Sequence, residues 1–410
     1  MSEVLAVPSN RWEVKPLSDL AEAIQYGYTA KAKTDAAGIR YLRITDIQDD
    51  HVEWSTVPSC DVSEVESEKY LLAAGDLVFA RTGATVGKSF LIRGNIPKSV
   101  FASYLIRVRL RKHIDPRYVA HFFQSPSYWN QIAESSAGIG QPNVNGTKLA
   151  QIQIPVAPLD RQAEIVAELE KQFSRLDEAV ANLQRVKANL KRYKASVLKA
   201  AVEGRLVETE DDWTRAKLGD IALSVRNGYS SKPDADSGTR IFRISAVRPM
   251  ELTVDDVRYL SGAPADYGTF LTEEGDVLFT RYNGSRDYVG VCAQVPTGLP
   301  PTVYPDKLIR VRVPTDQLLP AFLVISASTG EGREFIESMI RTTAGQSGVS
   351  GSDIKAIPLS IPTMAEQTRI VAEVDRHLSI IREVEAEVDA NLQRAQALRQ
   401  ATLAKAFAVN

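Results

Sequence analysis

Two long stretches of this chain read as helices too long to stand alone. From Asp160 to Arg205 there is no proline, and the one glycine, Gly204, falls near the end. Apolar residues recur at Ile165, Leu169, Phe173, Leu176, Val180, Leu183, Val186, Leu190, Tyr193 and Val197. Steps of three and four place them on one stripe of a helix. At 1.5 Å per residue the stretch makes a rod of roughly 60 Å, far longer than the usual three turns. So narrow a stripe on so long a rod needs a partner helix.

The chain supplies that partner. Gln162, Ile165, Val166, Ala167 and Glu168 return as Gln367, Ile370, Val371, Ala372 and Glu373, 205 positions later. Leu198 and Ala201 return as Leu403 and Ala406 at the same offset. Charge sets the direction of pairing. Arg185, Lys187, Lys191, Arg192, Lys194 and Lys199 crowd the second half of the first rod, while Glu373, Asp375, Glu383, Glu385, Glu387 and Asp389 occupy the first half of the second. Asp160, Glu164, Glu168, Glu170, Asp177 and Glu178 would then face Arg394, Arg399 and Lys405. Only antiparallel packing brings both opposite-sign sets together.

The segments that precede the rods, 12–158 and 213–362, are copies too. Arg40-Tyr41-Leu42-Arg43-Ile44 answers Arg240-Ile241-Phe242-Arg243-Ile244, and Gly75-Asp76-Leu77-Val78-Phe79-Ala80-Arg81 answers Gly275-Asp276-Val277-Leu278-Phe279-Thr280-Arg281. Each segment closes with a Gly-rich loop, Ala137–Gln141 and Ala344–Gly348, followed by a short apolar strand with two prolines and then a rod. The order is globule, rod, globule, rod, with boundaries expected at 1–158, 159–207, 208–362 and 363–410. Within each globule, 76–81 and 276–281 read as short strands after a glycine turn. Tyr104–Leu110 (YLIRVRL) and Lys307–Val313 (KLIRVRV) alternate apolar with basic residues, which predicts one buried and one exposed cationic face. Around 115–131 and 318–339 the spacing turns helical. The expected fold class is α+β, with two repeated α/β globules separated by a long antiparallel two-helix coiled coil.

A length of 410 residues fits two to three domains, and 44% apolar with 24% charged residues is ordinary for a soluble chain. No apolar run approaches the roughly 20 residues of a membrane span, and the N-terminus lacks the basic flank and apolar core of a signal peptide. The expectation is a cytoplasmic protein without membrane contact. Cys60 and Cys292 are too far apart in sequence to suggest a disulfide framework or a zinc site. His51, His113, His121 and His377 have no metal-ligand spacing and read as surface or packing residues. A net charge of −2 means that nucleic-acid binding has to rest on local patches.

Such patches exist. Between 75 and 112, Arg81, Lys88, Arg93, Lys98, Arg107, Arg109, Arg111 and Lys112 stand against Asp76 alone. Cations beside Tyr, Asn, Gln and glycine loops suit phosphate contact with hydrogen bonding to base edges. A solvated basic edge that blocks aggregation is the competing explanation. The candidate DNA contacts in the first globule are Tyr26, Tyr28, Lys31, Lys33, Arg81, Thr82, Lys88, Gln141 and Asn143. In the second they are Asn227, Tyr229, Ser230, Lys232, Arg281, Tyr282, Asn283, Arg286, Gln346 and Ser347.

Catalytic motifs are missing. Gly83-Ala84-Thr85-Val86-Gly87-Lys88-Ser89 resembles a P-loop but has three residues between its glycines where the motif has four. It reads as a turn that presents Arg81 and Lys88. No Asn or Asp precedes a Pro-Pro-aromatic motif, as adenine methylation would require, and no Gly-rich strand-to-helix loop offers a cofactor site.

Two globules with Gly-Asp-(apolar)₂-Phe-x-Arg, each followed by a proline and then Gln-x-x-Ile-Val in a long helix (Pro158 with Gln162–Val166, Pro362 with Gln367–Val371), resemble the specificity subunit of type I restriction–modification systems. The resemblance covers essentially the full length. It implies a non-catalytic subunit whose two globules each read one half of a split duplex target. It also implies a coiled coil that docks two methyltransferase subunits, which carry S-adenosylmethionine and flip the target adenine. Restriction subunits using ATP and Mg join the larger complex, and no cofactor is expected on this chain. Ile165, Leu169, Leu176 and Leu183 with Ile370, Val374, Ile381 and Val388 are the partner-binding residues expected on the coiled coil. The family's base-contacting residues differ between members, so none is carried over by motif. A protein-binding scaffold and a nucleotide-using enzyme are the competing readings.

Overall fold

Both predicted rods are single helices, Leu159–Val202 and Met364–Ala406. The glutamine they share explains how each is seated. Gln162 Oε1 accepts the Asp115 N–H at 2.8 Å, and its amide donates to the Ala157 carbonyl at 2.7 Å. Gln367 does the same with Leu319 N–H at 2.8 Å and the carbonyls of Gln317 and Pro362 at 3.0 Å each. One buried amide thus joins the end of the prolyl strand, the first turn of the long helix and the start of a short helix, satisfying backbone groups that have no helical partner.

The computed structural model describes residues 12–34, 38–48, 50–136, 144–209, 213–343 and 345–408. The chain forms two units: residues 1–184 with 389–410, and residues 185–388. Each unit holds one globule and one half of each long helix.

In the first unit a four-stranded antiparallel sheet runs in the order Ala21–Tyr26, Leu105–Leu110, Leu77–Ala80, Ser89–Leu91. The second unit repeats it as Ser224–Asn227, Leu308–Arg312, Val277–Thr280, Cys292–Gln294. A smaller sheet accompanies each, built around Arg40–Leu42 and Thr239–Phe242. The ends of each globule are tied together, with Glu13–Pro16 pairing with Gln153–Val156 and Thr214–Lys217 with Pro358–Ile361. The helical spacing near 115–131 and 318–339 corresponds to Pro116–Phe122 and Pro126–Ser136, and to Pro320–Ser328 and Gly330–Met339. The fold is α+β.

The halves of the two long helices run antiparallel within each unit. In the first, Ile165, Val166, Leu169 and Phe173 share a core with Leu403, Ala406 and Phe407. Asp177 pairs there with Arg399 at 2.7 Å, and the Arg399 guanidinium lies 4.2 Å over the Phe173 ring. In the second, Leu190, Leu198 and Ala201 share a core with Ile370, Val374, Leu378 and Ile381. The repeated Leu-x-x-Ala pairs are therefore the helix ends that dock on each globule's core. His377 is satisfied in this seam, with Nδ1 2.9 Å from the Tyr193 hydroxyl and Nε2 3.1 Å from Glu373. His121 is a packing residue, 6% exposed with its ring 5.7 Å from that of Phe173. Burial pulls its pKa down to about 4, which keeps it neutral.

Candidate nucleic-acid interface

The basic strands do not present the exposed cationic face that their alternation predicts. Arg107 and Arg310 are 4% and 5% exposed. Arg107 donates to the Leu71 carbonyl at 2.6 Å, and Arg310 to the Leu271 carbonyl at 2.9 Å. Arg109 and Arg312 instead make two-pronged bonds to the buried Asp76 and Asp276, at 2.8 and 2.8 Å and at 2.7 and 3.0 Å. The same carboxylates accept the Ala73 and Glu273 N–H groups. The Gly-Asp motif is therefore a turn with a buried counter-ion, which neutralises one of the two arginines of each strand. Desolvation lowers the pKa of Arg107. A buried guanidinium is tolerated because carbonyls surround it.

Three loops meet at equivalent places in both units, each around a half-buried arginine. After the strand Leu77–Ala80 comes Arg81, whose guanidinium lies 5.0 Å over the Tyr26 ring. The Val144 N–H donates to the Arg81 carbonyl at 3.1 Å, and the Gly146 N–H donates to the Tyr26 hydroxyl at 2.7 Å. The first loop, the strand exit and the closing loop are thus joined. In the second unit the Val349 N–H donates to the Arg281 carbonyl at 2.9 Å, the copy of the first bond. Arg281 lies 4.7 Å over Tyr282. Tyr282–Asn283 pairs with Gln346–Gly348 in a small sheet that Arg341–Thr343 completes. The Nε of Arg81 and of Arg281 is buried and makes no hydrogen bond to a described residue. Neither guanidinium has a carboxylate partner among the described residues.

A rigid turn underlies each meeting point. Gly27 N–H donates to the Leu105 carbonyl and Gly228 N–H to the Leu308 carbonyl, both at 3.2 Å. Tyr28 and Tyr229 N–H groups donate to the carbonyls of Phe101 and Tyr304, both at 2.8 Å. A Cβ on Gly27 would sit 2.2 Å from the Ala102 carbonyl oxygen, and one on Gly228 2.2 Å from that of Pro305. Only glycine permits this approach.

The other candidates divide. Tyr28 is half-buried with its ring 5.3 Å from Tyr70, and Tyr229 lies 5.3 Å from Tyr267 and 5.5 Å from Phe270. Their rings pack on the smaller sheets and are half-buried there. Ser347 is also buried, its hydroxyl 2.9 Å from that of Thr342. Lys31, Thr82, Asn227, Ser230, Lys232 and Gln346 are exposed. Lys33 is ion-paired to Asp61 at 2.6 Å. Asn283 accepts the Ser285 N–H at 3.0 Å, and Arg286 donates to the Glu337 carbonyl at 3.1 Å. Gln141 and Asn143 lie outside the described residues. Lys88 borders a cleft of about 630 Å³ with Thr85, Trp129 and Arg399. The glycine turn before it closes an antiparallel hairpin, and its Gly87 carbonyl accepts the Tyr128 hydroxyl at 2.6 Å. A P-loop leads from a strand into a helix, so this turn is not one.

Of the residues expected to bind a partner, Ile165, Leu169, Ile370 and Val374 are 0% exposed, Ile381 is 2% and Val388 5%. They are buried within this chain, because the stripe that predicted them is the seam between its own helices. Leu176 and Leu183 are half-buried. Two exposed residues escaped the candidate set. Tyr104 and Lys307 occupy the same position on the turn, just before the five residues that YLIRVRL and KLIRVRV share.

A family described as the type I restriction modification DNA specificity domain matches residues 9–191. The EcoKI specificity subunit of Escherichia coli strain K12, a type I restriction enzyme subunit, is 31% identical over 416 residues, covering 97% of this chain and 88% of that protein. The chain belongs to the type I restriction enzyme specificity subunits. A second specificity subunit, StySPI of Salmonella potsdam, is 27% identical over 83% of this chain and 75% of its own length. Two solved structures share the specificity-subunit fold. One, from a study of complex assembly and conformational transition of the type I R-M system, has a TM-score of 0.76 at 17% identity, covering 98% of both chains. The HsdS subunit from Thermoanaerobacter tengcongensis has a TM-score of 0.58 at 18% identity, covering 98% of this chain and 97% of that one.

Proposed function

We propose that this specificity subunit reads duplex DNA, each globule recognising one half of a split target. The observation that carries the reading is the pair Arg81 and Arg281. Both leave the same strand, lie over an aromatic ring, and lack a carboxylate partner among the described residues. A guanidinium held over a ring in this way suits the O6 and N7 acceptors of guanine or a phosphate. The neighbours differ, Thr82 in one unit and Tyr282 in the other, so the two half-sites differ and the target is non-palindromic. Residues 1–158 and 208–362 serve as the recognition domains. The helices at 159–207 and 363–410 dock two methyltransferase subunits, with restriction subunits in the full complex. Because the seam residues are internal, docking uses the outer surface of the helices, where Val186, Ile380 and Leu398 are exposed. The chain is the non-catalytic, cytoplasmic member of the complex, with S-adenosylmethionine, ATP and Mg bound by its partners. Membership of the family supports the recognition of DNA and the work with methyltransferase and restriction subunits.

Titrating a fluorescent mixed-sequence duplex with the full chain at rising salt tests the reading. Log affinity should fall linearly with log salt, and Arg81→Ala with Arg281→Ala should reduce the slope by about 2. A protein-binding scaffold would show no salt-dependent duplex binding.

A further inference from the structure

Tyr104 and Lys307 occupy one structural position in two copies of a turn. The Arg81 N–H donates to the Tyr104 carbonyl at 3.1 Å, and the Arg281 N–H to the Lys307 carbonyl at 2.8 Å. Ser103 N–H donates to the Tyr28 carbonyl at 3.0 Å, and Asp306 N–H to the Tyr229 carbonyl at 2.8 Å. The turn closes with Leu105 N–H to Ala102 at 2.8 Å and Leu308 N–H to Pro305 at 2.9 Å. Each tip residue is therefore bonded through its backbone to the arginine of the candidate interface, on a turn whose Ala102 and Pro305 carbonyls approach Gly27 and Gly228.

The side chains are left to solvent. Tyr104 is 66% exposed, against 41% for Tyr26 beside it, and its hydroxyl makes no hydrogen bond to a described residue. Lys307 is exposed and has no carboxylate within ion-pair distance among the described residues. The Tyr104 ring is two-thirds exposed on a turn held by backbone hydrogen bonds, and burying its apolar face against a ligand would be favourable. The strands that follow match over five residues, 105–109 and 308–312, whereas the turns before them differ, Ala102-Ser103-Tyr104 against Pro305-Asp306-Lys307.

We infer that the two tips are DNA-contacting residues of opposite kinds: Lys307 is a phosphate contact of the second unit, and Tyr104 is an uncharged, sequence-sensitive contact of the first. This rests on the DNA-reading function proposed above. The ammonium of Lys307 is a strongly hydrated point charge that attracts any phosphate and carries no base information. The Tyr104 ring and hydroxyl add no charge; they offer apolar contact to a thymine methyl or sugar and one hydrogen bond to a base edge. The first unit thus gains discrimination at the tip, and the second gains affinity.

The test uses the full chain in two measurements. One is the salt slope of binding to a mixed-sequence duplex. The other is the target motif, mapped as modified bases when each variant is expressed with its cognate methyltransferase. Lys307→Ala should lower the slope by about 0.9 and leave the motif intact. Tyr104→Ala should leave the slope unchanged, relax one position of one half-site and weaken binding to the mapped target about tenfold. Tyr104→Lys should raise the slope by about 0.9 while relaxing the same position. An unchanged slope in Lys307→Ala overturns the inference, and so does an unchanged motif and affinity in Tyr104→Ala. A wild-type chain without salt-dependent duplex binding would instead overturn the function on which the inference rests.

Discussion

Phe407→Ala should destabilise the first unit by about 3–5 kcal/mol, the usual cost of emptying a buried aromatic site. Phe407 lies at the end of the second long helix and is 0% exposed. Its ring meets Tyr118 at 5.1 Å and Phe122 at 5.5 Å, both edge to face. It belongs to the core that includes Ile165, Leu169 and Phe173, so it fixes the second helix to a globule encoded almost three hundred residues earlier. The corresponding position of the first helix, Val202, is only half-buried. The effect should therefore be larger than that of Val202→Ala. Guanidinium unfolding, followed by the fluorescence of a tryptophan in each unit, checks this. Equal small shifts for the two variants would show that the helix end does not anchor the first unit.

Asp276→Ala should cost the second unit about 3–5 kcal/mol, because it strands buried positive charge. The Asp276 carboxylate is fully enclosed, bonded twice by Arg312 and 3.9 Å from Arg310. It also caps the Glu273 N–H. Combining Asp276→Leu with Arg310→Met and Arg312→Met should recover most of the loss, since an apolar replacement of a buried ion cluster is often neutral. Denaturant midpoints of the single and triple variants decide the matter. A triple variant no more stable than Asp276→Ala would mean that the cap and the carbonyl contacts, not the charge, carry the effect.

The fold was unusually readable because the sequence states it twice. The 205-residue offset between Gln162 and Gln367 identified two equivalent helix starts before any contact was known. Charge segregation then gave the antiparallel direction, and Asp177 with Arg399 realises it. The site was less readable. Arg107 and Arg310 have the spacing of an exposed strand face, yet both are buried, because the sequence does not show that the backbone carbonyls of Leu71 and Leu271 converge on them. Tyr28 and Tyr229 sit in polar glycine loops, but rings from distant segments, Tyr70, Tyr267 and Phe270, cover them. Partner binding was misassigned to the seam for a related reason: a stripe on a helix shows that something covers it, not which helix does. Arg81 and Arg281 stand out in the sequence because the repeat places them at one position, and the structure gives neither a carboxylate partner among the described residues. The exposure of Tyr104 and Lys307 follows from the turn that holds them, which spacing along the strand does not show.

The central claim is that one globule reads one half of the target. It is tested most directly by replacing residues 213–362 with the second globule of another type I specificity subunit, then mapping the methylated bases made with the cognate methyltransferase. The account predicts that one half of the motif changes to that of the donor while the other half stays as it was. A chimera that methylates DNA with both halves changed, or with neither changed, would contradict it.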